Sequence, residues 1–491
     1  MSLTTESINA TRDALAKPMP VGMLNKAFTQ PGSATSGLAW YDLEGPAKSL
    51  YPVITPIRNT LPRVVATGGT QANWRAVTGV NVGNATFGVS EGNRGPVLVT
   101  STQDYFAVFR GYGFDDYATF EAGYAAQGFD DIQARTVTGL IQALMIQEEK
   151  IVIGANTSLA LGTTPTPSLT TAASGGSIAS GTQSVICVAL SYEGFLASSV
   201  ASGLPLSGAR NLADGSTEQV NQGTAKQSTA ATIATTGSSS TVTASVAPVR
   251  GAFGYAWFLG AAGSEKLAAI TATASVTLTA PAAAGAQAAS AGFSADNSRN
   301  GLIFDGLFSQ ILTPGSGAYV DIMANGTTLT ADDTGGVVEI DAALQSFWDN
   351  YRLSPDTIWV SSQEQRNITT KVLAGSVNAA QRFVINVDQG QVKGGDLVTS
   401  YLNKFSMDGA KAIPVRLHPN MPPGTILFTT SQIPYPLSNV GNVLQMCMRQ
   451  DFFAIEWPRR TRKWEYGVYA DGVLQNYFPP AFGLITNIAN G

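Results

Sequence analysis

The stretch that decides the fold is GYGFDDYATFEAGYAAQGFDDIQARTVTGLIQALMIQEEKIVIG, residues 111–154. The tetrad GFDD occurs in it twice, and the second copy, Gly128–Asp131, stands directly before a helical pattern. Asp130 can accept backbone N–H bonds as the N-cap residue, and Gln133 stands where a capping box has Glu or Gln. Apolar residues then recur at helical spacing, and Gly154 is a stop signal. The pattern predicts a helix of roughly 22–24 residues, about 35 Å long at 1.5 Å per residue.

Composition restricts the class of protein. The chain has 491 residues, of which 44% are hydrophobic and only 13% charged, against an average near 25% charged. A weakly charged surface is typical of a protein covered by other copies of itself, and also of a secreted adhesin. The net charge is −5 and no long basic run is present. Because gripping DNA by counterion release needs clustered Lys and Arg, direct DNA binding is disfavoured.

Cysteine usage and apolar runs indicate an intracellular chain. Cys187 and Cys447 are the only cysteines and lie far apart in sequence, so neither a disulfide framework nor a zinc cluster is expected. The N-terminus lacks a basic segment followed by an apolar core, and no run approaches 18 apolar residues. Neither a secretory signal nor a transmembrane helix is therefore predicted, and no association with a membrane is expected.

The first 110 residues are expected to depend on a neighbouring molecule. Six prolines scattered through residues 1–60 argue against a compact domain there and predict an arm that lies over something else. Residues 61–110 alternate as strands around a Gly- and Asn-rich bend, which predicts an extended β-hairpin loop. A two-stranded hairpin is barely stable alone in water. We therefore expect a neighbouring subunit to supply its packing surface.

Composition shifts abruptly at about Asn156. Between residues 156 and 295 only eight residues are charged, in a background of Ser, Thr, Ala and Gly. Alternating stretches such as Ser184–Tyr192 and Gly254–Leu259 predict short strands separated by turns. Residues 156–297 are therefore interpreted as an inserted β-sandwich of immunoglobulin or fibronectin type.

The C-terminal part of the chain returns to mixed helices and strands. Val338–Tyr351 predicts an amphipathic helix, Thr357–Val360 a buried strand and Ser362–Leu373 a second helix. Nearer the C-terminus, Phe452–Trp457 and Lys463–Tyr469 predict a hairpin with a basic tip, since apolar side chains in the second strand fall on one face by period two.

This order of elements resembles the major capsid proteins of tailed double-stranded DNA bacteriophages, which have the Hong Kong ninety-seven-like fold. In that family an extended loop and a short helix precede a long "spine" helix, and the run helix, LSPD, strand, helix resembles its axial domain. The matching parts, 111–155 and 337–490, cover about two fifths of the chain. The resemblance implies an α+β fold with an N-terminal arm (1–60), an extended loop (61–110), a first peripheral part with the spine helix (111–155), the inserted sandwich (156–297), an axial domain (298–430) and a second peripheral part (431–491).

The resemblance also implies a function. The chain would be a major capsid protein whose hexamers and pentamers close into the icosahedral shell, or head, of a tailed phage virion, assembled in the cytoplasm of the bacterial host. Its partners would be other copies of itself, scaffolding, portal and decoration proteins, and packaged double-stranded DNA held without specific binding. Some relatives cross-link a loop lysine to a neighbouring asparagine, but no lysine lies between Lys48 and Lys150. The roughly 60 residues before the loop are too few for a fused scaffolding domain, so a separate scaffolding protein or none is expected.

Enzymatic chemistry finds little support in the sequence. His418 is the sole histidine and stands in a Pro-rich turn, with no GxSxG or HExxH motif for it to serve. It is interpreted as a loop histidine. No phosphate-binding loop is present, and the Asp pairs that precede helices are explained by capping and the helix dipole. No catalytic residue, cofactor or metal site is predicted.

Two pairs of residues are candidate contacts between subunits. Trp40 and Trp74 lie in the arm and the loop, where no core within the chain is evident, and aromatic residues are enriched at interface hot spots. Glu148 and Glu149 lie near the C-terminal end of the predicted long helix, where a negative charge opposes the helix dipole. We therefore expect Arg or Lys from elsewhere to pair with them.

The densest basic cluster is a further candidate contact. Arg459, Arg460 and Arg462 are followed by Lys463 at the tip of the predicted hairpin. Four charges are too few for strong affinity to nucleic acid. A solvated tip, or pairing with acidic residues of another subunit, is therefore favoured over a contact with DNA.

Two other classes of protein remain as alternatives. A cellular nanocompartment shell of the encapsulin type would have the same ancestry, but such shells usually lack a large insertion. A virion decoration or adhesin protein would account for residues 156–295 and leave the arm, the long helix and the final sheet without a role. An enzyme is the least favoured class, because no catalytic constellation is present.

Overall fold

The fold was determined from a computed structural model. The larger of its two compact units comprises Pro52–Thr119 and Gln133–Gly491, and every tertiary contact below lies within that unit. The structure describes residues 51–80, 88–95, 97, 99–128, 130–212, 215–374, 397–407, 409–436 and 438–491.

The long helix predicted from the opening stretch is confirmed. It has 23 residues and ends at Gly154, as the sequence indicates. The side-chain oxygen of Gln133 accepts a hydrogen bond from the Tyr466 hydroxyl at 3.0 Å. The first elements are α1 (Pro56–Thr60), β1 (Arg63–Val65), β2 (Gln71–Val80), β3 (Thr100–Val108), β4 (Arg110–Thr119), α2 (Phe120–Ala125) and α3 (Ile132–Gly154).

Strands β2 and β3 form the extended hairpin that the sequence predicts. They pair antiparallel from Gln71 and Val108 at the base to Val80 and Thr100 at the far end. Among the described strands no third one joins this two-stranded sheet. The ten residues of β2, at about 3.3 Å each, give the paired part of the hairpin a length of roughly 33 Å.

The chain between Asn156 and Ser298 forms two antiparallel sheets that share one apolar core. Cys187, Val242 and Trp257, from three different strands, are fully buried together in that core. The elements are β5 (Ser168–Ala172), β6 (Gly181–Leu190), α4 (Tyr192–Ala197), β7 (Gly208–Asn211), β8 (Thr217–Val220), β9 (Ala231–Thr235), β10 (Thr241–Ser245), β11 (Gly254–Gly260), β12 (Lys266–Thr271) and β13 (Ser275–Leu278), with the strand orders β13-β10-β5 and β12-β11-β6-β9 in the two sheets.

The C-terminal part of the chain supplies the remaining helices and strands. The predicted order of helix, buried strand and second helix is found with bounds within one residue of those expected. The elements are α5 (Leu307–Leu312), β14 (Tyr319–Ile322), α6 (Val338–Tyr351), β15 (Thr357–Val360), α7 (Ser362–Ala374), β16 (Ser400–Asn403), β17 (Lys411–Leu417), β18 (Ile426–Thr429), β19 (Leu444–Glu456), β20 (Lys463–Asn476) and β21 (Gly483–Thr486).

Two sheets build the body around helix α3. One has the order β1-β19-β20-β4, and its centre is the long β19–β20 hairpin, whose strands are longer than the sequence predicts. The other has the order β14-β21-β18-β15-β17-β16. The grouping of residues 431–491 as one peripheral part led us to expect β21 in the same sheet as β19 and β20. It lies in the other sheet instead. Its Leu484 and Ile485 are both fully buried, as is typical of a strand covered on two faces.

One apolar cluster joins these sheets to the helices. Leu144 and Ile153 of α3 are buried in it together with Ile340, Leu344 and Phe347 of α6, which recur at the helical spacing i, i+4, i+7. Helices and strands are segregated along the chain and antiparallel pairing dominates, so the predicted α+β class is confirmed.

Candidate functional site

A buried ionic cluster fastens the start of the described chain to helix α3. Glu148 is fully buried, and its carboxylate accepts hydrogen bonds from Arg58, from Arg63 Nη2 at 2.5 Å and from the Tyr112 hydroxyl at 2.7 Å. Burial and the adjacent Glu148 raise the pKa of the Tyr112 hydroxyl, which therefore stays a donor. The positive charges of two guanidinium groups thus offset the free energy that is lost when the Glu148 carboxylate is removed from water.

The neighbouring carboxylate binds the first turn of α1. Glu149 accepts the backbone N–H groups of Ile57 at 2.9 Å and Arg58 at 2.6 Å, which no bond within the helix would satisfy. Its Oε1 also lies 2.5 Å from Nε2 of His418. Since Nδ1 of His418 accepts the N–H of Asn420 at 3.1 Å, the ring proton is on Nε2 and points at Glu149.

These contacts decide four expectations from the sequence. Glu148 and Glu149 do not contact another subunit, because both are inaccessible and their partners lie in the same chain. His418 lies in the loop after β17, as expected, but it is buried there against Glu149. The expectation that Arg would pair with the acidic end of the long helix is confirmed for Glu148. The described chain near Ile57 is packed in the core, so the end of the predicted arm lies on its own chain.

The hairpin of β2 and β3 has an inner and an outer face by period two. The outer face carries Val77, Phe106 and Val108, of which Phe106 is 66% and Val77 64% exposed. Arg75 and Asp104 form an exposed ion pair between the strands on the same face, with Nε and Oδ1 2.5 Å apart. Large apolar side chains left exposed on one face in this way are typical of a surface that another molecule covers.

Trp74 lies on the inner face of the hairpin and has partners within the chain. Its ring is 5.9 Å from the ring of Tyr105, in a stacked arrangement, and 5.9 Å from Tyr477, edge to face. The expectation that no packing surface within the chain meets Trp74 is therefore wrong. Its indole Nε1–H, however, is buried and has no hydrogen-bond partner among the described residues. Trp40, the other tryptophan predicted as a contact, lies outside the described residues.

A cavity of about 550 Å³ opens at the base of this hairpin. Its walls come from β3, from the chain after α3, from the segment around α5 and from the end of β20. Two further residues besides Trp74 that line it have a buried polar atom without a partner among the described residues, namely Oε1 of Gln310 and Nδ2 of Asn476. The lining of the cavity is mostly apolar, and these three polar atoms are buried within its walls.

The basic tip between β19 and β20 is exposed, as the sequence predicts. Arg459 is 3.4 Å from Glu456 and its guanidinium lies 5.9 Å from the ring centre of Trp464. Arg460 and Arg462 are exposed as well. Surface pairs of this kind contribute little to stability, so this tip stays a candidate surface for another subunit.

Neither a metal-binding cluster nor a helix able to span a membrane is found in the described part of the chain. No group of three or more His, Cys, Asp or Glu side chains there is placed to hold a metal ion. None of the described helices has both the length and the apolar character that crossing a bilayer requires.

The described chain has an α+β fold whose β2–β3 hairpin exposes an apolar outer face. Solved structures similar to this chain include phage and GTA capsids. The capsid of the native GTA particle is 8% identical with a TM-score of 0.40, and the match covers 92% of this chain and 96% of that one. The capsid of cyanophage P-SCSP1u is 9% identical with a TM-score of 0.41 (97% and 99% covered). Mycobacterium phage Bobi is 9% identical with a TM-score of 0.38 (91% and 94% covered).

Comparison by sequence gives no relative. No protein-family model matches the chain, and no curated protein matches it either.

Proposed function

We propose that this chain is a major capsid protein, which assembles from many copies into the icosahedral head around the double-stranded DNA of a tailed bacteriophage. The observation that carries the proposal is the hairpin of β2 and β3. It is a two-stranded sheet whose outer face carries Val77, Phe106 and Val108 uncovered. Because its inner face packs on its own chain, the exposed apolar outer face is the side that another copy would cover.

The root of the hairpin is suited to carry load between copies. Strand β1 precedes the hairpin and pairs parallel with β19, while β4 follows it and pairs with β20. Both ends of the hairpin are therefore held by the same sheet, and Glu148 ties Arg58 and Arg63 to the long helix. A pull on the hairpin would be transmitted to the sheet and to α3, as a shell wall requires.

The domain organisation is part of the proposal. Residues 156–297 would be a sandwich domain inserted into the shell-forming body. The insertion is supported by the contact between the two points where the chain enters and leaves this region. Nδ2 of Asn156 donates to the Ser298 carbonyl at 3.0 Å, and the N–H of Asn300 donates to the Asn156 carbonyl at 2.6 Å. Two chain ends that meet in this way are what an insertion into a continuous fold leaves behind.

Partners other than the chain itself follow from the same proposal. Scaffolding, portal and decoration proteins would act with it, and DNA would fill the interior without a specific site. The basic tip at Arg459, Arg460 and Arg462 is proposed as a contact with acidic residues of another copy. Assembly would take place in the cytoplasm of the host bacterium, and the product would be the virion.

Electron microscopy of the purified chain tests the proposal. The chain is expressed alone and together with candidate scaffolding proteins, and closed shells are expected in at least one of these preparations. Phe106→Ser combined with Val77→Ser should abolish the shells, whereas Val200→Ser, which changes an exposed valine of the inserted region, should not. Closed shells that enclose a cellular enzyme and no DNA would favour a nanocompartment shell instead. A chain that stays monomeric in every preparation would refute both.

A further inference from the structure

Three asparagines of the chain are each followed by glycine, namely Asn300, Asn325 and Asn490. The backbone nitrogen after an asparagine can attack the carbonyl carbon of its side chain, and glycine leaves that nitrogen unhindered because it has no Cβ. The fold places the side-chain amides of Asn300 and Asn325 in opposite surroundings. The first lies beside a carboxyl group and an open glycine, whereas the second is held at both ends.

The side-chain carbonyl of Asn300 is turned toward the peptide groups that follow it. Its Oδ1 accepts the N–H of Leu302 at 3.2 Å, which brings the side chain against the backbone of Gly301. Gly301 is exposed, and a Cβ built on it would meet no atom within 4 Å. The attacking nitrogen is therefore open. The N–H of Leu302 is placed to stabilise the negative charge that develops on Oδ1 during attack.

A proton donor stands at the other end of this amide. Ser191 donates its N–H to the Gly223 carbonyl at 2.8 Å, and Gly223 donates to the Asn297 carbonyl at 3.0 Å, so the start of α4 lies beside the segment that leads to Asn300. The side-chain amide of Asn300 donates to the carboxyl group of Glu193 on α4, and burial raises the pKa of this carboxyl to about 7. Unlike an ordinary glutamate, Glu193 therefore carries a proton in many of the chains at neutral pH.

We propose that Asn300 and Gly301 form a self-modifying site, at which the Gly301 nitrogen closes on the Asn300 side chain and Glu193 protonates the departing ammonia. The Gly301 nitrogen gives its proton to water and bonds to the side-chain carbon, and the bond from that carbon to Nδ2 breaks. Glu193 transfers its proton to Nδ2, which leaves as ammonia, and the carboxylate takes a proton back from water. Water then opens the cyclic imide at either of its two carbonyl carbons, which leaves an aspartate or an isoaspartate.

The product alters the point where the chain returns from the inserted region. The N–H of Asn300 donates to the Asn156 carbonyl at 2.6 Å, and the carbonyl of Asn300 accepts the Thr157 hydroxyl at 3.1 Å. An isoaspartate adds a carbon to the backbone between these two groups, so both hydrogen bonds cannot be kept. Either product also places a second carboxylate beside Glu193, and like charges at short range repel each other. The junction therefore weakens as the protein ages.

Asn325 provides a comparison within the same chain. Its Nδ2 donates to the Val246 carbonyl, and its Oδ1 accepts a hydrogen bond from Nδ2 of Asn487 at 3.1 Å. Neutral groups thus hold both ends of this amide, and no carboxyl group is among these partners. The pair Asn325–Gly326 should therefore react slowly in the folded chain.

Peptide mapping by mass spectrometry measures both reactions. The dissociated chain is kept at neutral pH, either folded in buffer or unfolded in guanidinium chloride, and the peptides that contain Asn300 and Asn325 are quantified over time. The unfolded chain gives the intrinsic rate of each pair. Folding should leave Asn300 at its intrinsic rate or faster. It should slow Asn325 by about tenfold or more, because the hydrogen bonds to its amide must break first.

Three variants test the roles of the residues. Glu193→Gln removes the acid and keeps a polar side chain of the same size, so conversion of Asn300 in the folded chain should fall by about tenfold or more. Conversion in the unfolded chain should not change. Glu218→Gln, which removes an exposed ion pair of the inserted region, is the matched control and should change neither rate. Gly301→Ala fits without a clash and should suppress conversion of Asn300 while thermal unfolding stays the same.

Two results would overturn the inference. One is an Asn300 that stays intact in the folded chain while the unfolded chain converts. The other is an unchanged rate in a folded Glu193→Gln chain. If that variant does not fold, the comparison of folded and unfolded wild-type chain still decides, since it needs no substitution. All of these measurements use the dissociated chain, so they are independent of the proposed function.

Discussion

Nε2 of His418 lies 2.5 Å from Oε1 of Glu149, and both side chains are fully buried. The two residues are 269 positions apart in sequence. Glu149 stands in the last turns of α3 and also accepts the first N–H groups of α1, so one carboxylate joins three parts of the chain. The sole histidine of the protein therefore holds the root of the arm and the long helix in a fixed relation.

Removing the neighbouring carboxylate should destabilise the chain strongly. Glu148→Gln leaves Arg58 and Arg63 partly buried without their counter-charge, and breaking a buried pair in this way costs about 3–5 kcal/mol. Urea unfolding of the dissociated chain measures the change. Asp451→Asn removes the exposed partner of Arg63 and should cost less than about 1 kcal/mol. Equal losses for the two variants would contradict the assignment of Glu148 as the anchor.

The chain should lose stability as the pH rises through neutrality. Burial raises the pKa of Glu193 to about 7, against 4.5 for the free side chain, although a hydrogen bond from Asn300 opposes the shift. A pKa raised in the folded state gives stability that is complete below the unfolded value and is lost as pH rises through the folded one. Between pH 5 and pH 8 this amounts to about 2–3 kcal/mol.

Glu193→Gln tests this pH dependence. The variant should be more stable than the wild type at pH 8 and nearly equal to it at pH 5, as measured by unfolding at both pH values. Glu218→Gln, which removes a surface ion pair with Arg210, should leave the pH dependence unchanged. A wild-type difference that persists in Glu193→Gln would show that another group causes it.

Removing the inserted region should leave a folded body. Residues 157–297 are replaced by a short linker, since Asn156 and Ser298 already lie within hydrogen-bond distance. The deletion takes Tyr192 and Phe253 away from Phe308, against which they pack at 5.4 and 4.6 Å between ring centres. We therefore expect one cooperative thermal transition at a lower temperature than in the full chain. Loss of all cooperative unfolding would contradict the interpretation of these residues as an insertion.

Shell strength should be non-covalent. No lysine stands between Lys48 and Lys150, so the extended loop cannot form an isopeptide bond through a lysine. Boiled, denatured shells should run as a single band near 51.2 kDa in gel electrophoresis. A ladder of multimers in reduced samples would disprove this prediction.

Local patterns in the sequence were sufficient to predict the helices and strands that have a regular spacing of apolar residues. The long helix, the extended hairpin and the order α6, β15, α7 were predicted because each is defined by spacing within one segment. Contacts between distant segments could not be predicted from such local spacing. The burial of Glu148 and Glu149 depends on α1 lying against α3, and nothing local distinguishes a buried acidic pair from a solvated one.

Two further errors have the same origin. The resemblance groups residues 431–491 in one peripheral part, but β21 of that range pairs with β14 and β18 in the other sheet. Trp74 was expected to lack partners within the chain, yet Tyr477, from a segment about 400 positions away, lies against it. The unsatisfied atoms around the cavity became visible only when these segments were placed together.

Cryo-electron microscopy of the purified, assembled chain tests the central claim most directly. The account predicts closed shells with fivefold vertices and local sixfold positions, in which the hairpin of each copy lies on its neighbour. A rigid monomer at every concentration and ionic strength tried, with the outer face of the hairpin exposed to solvent, would contradict it.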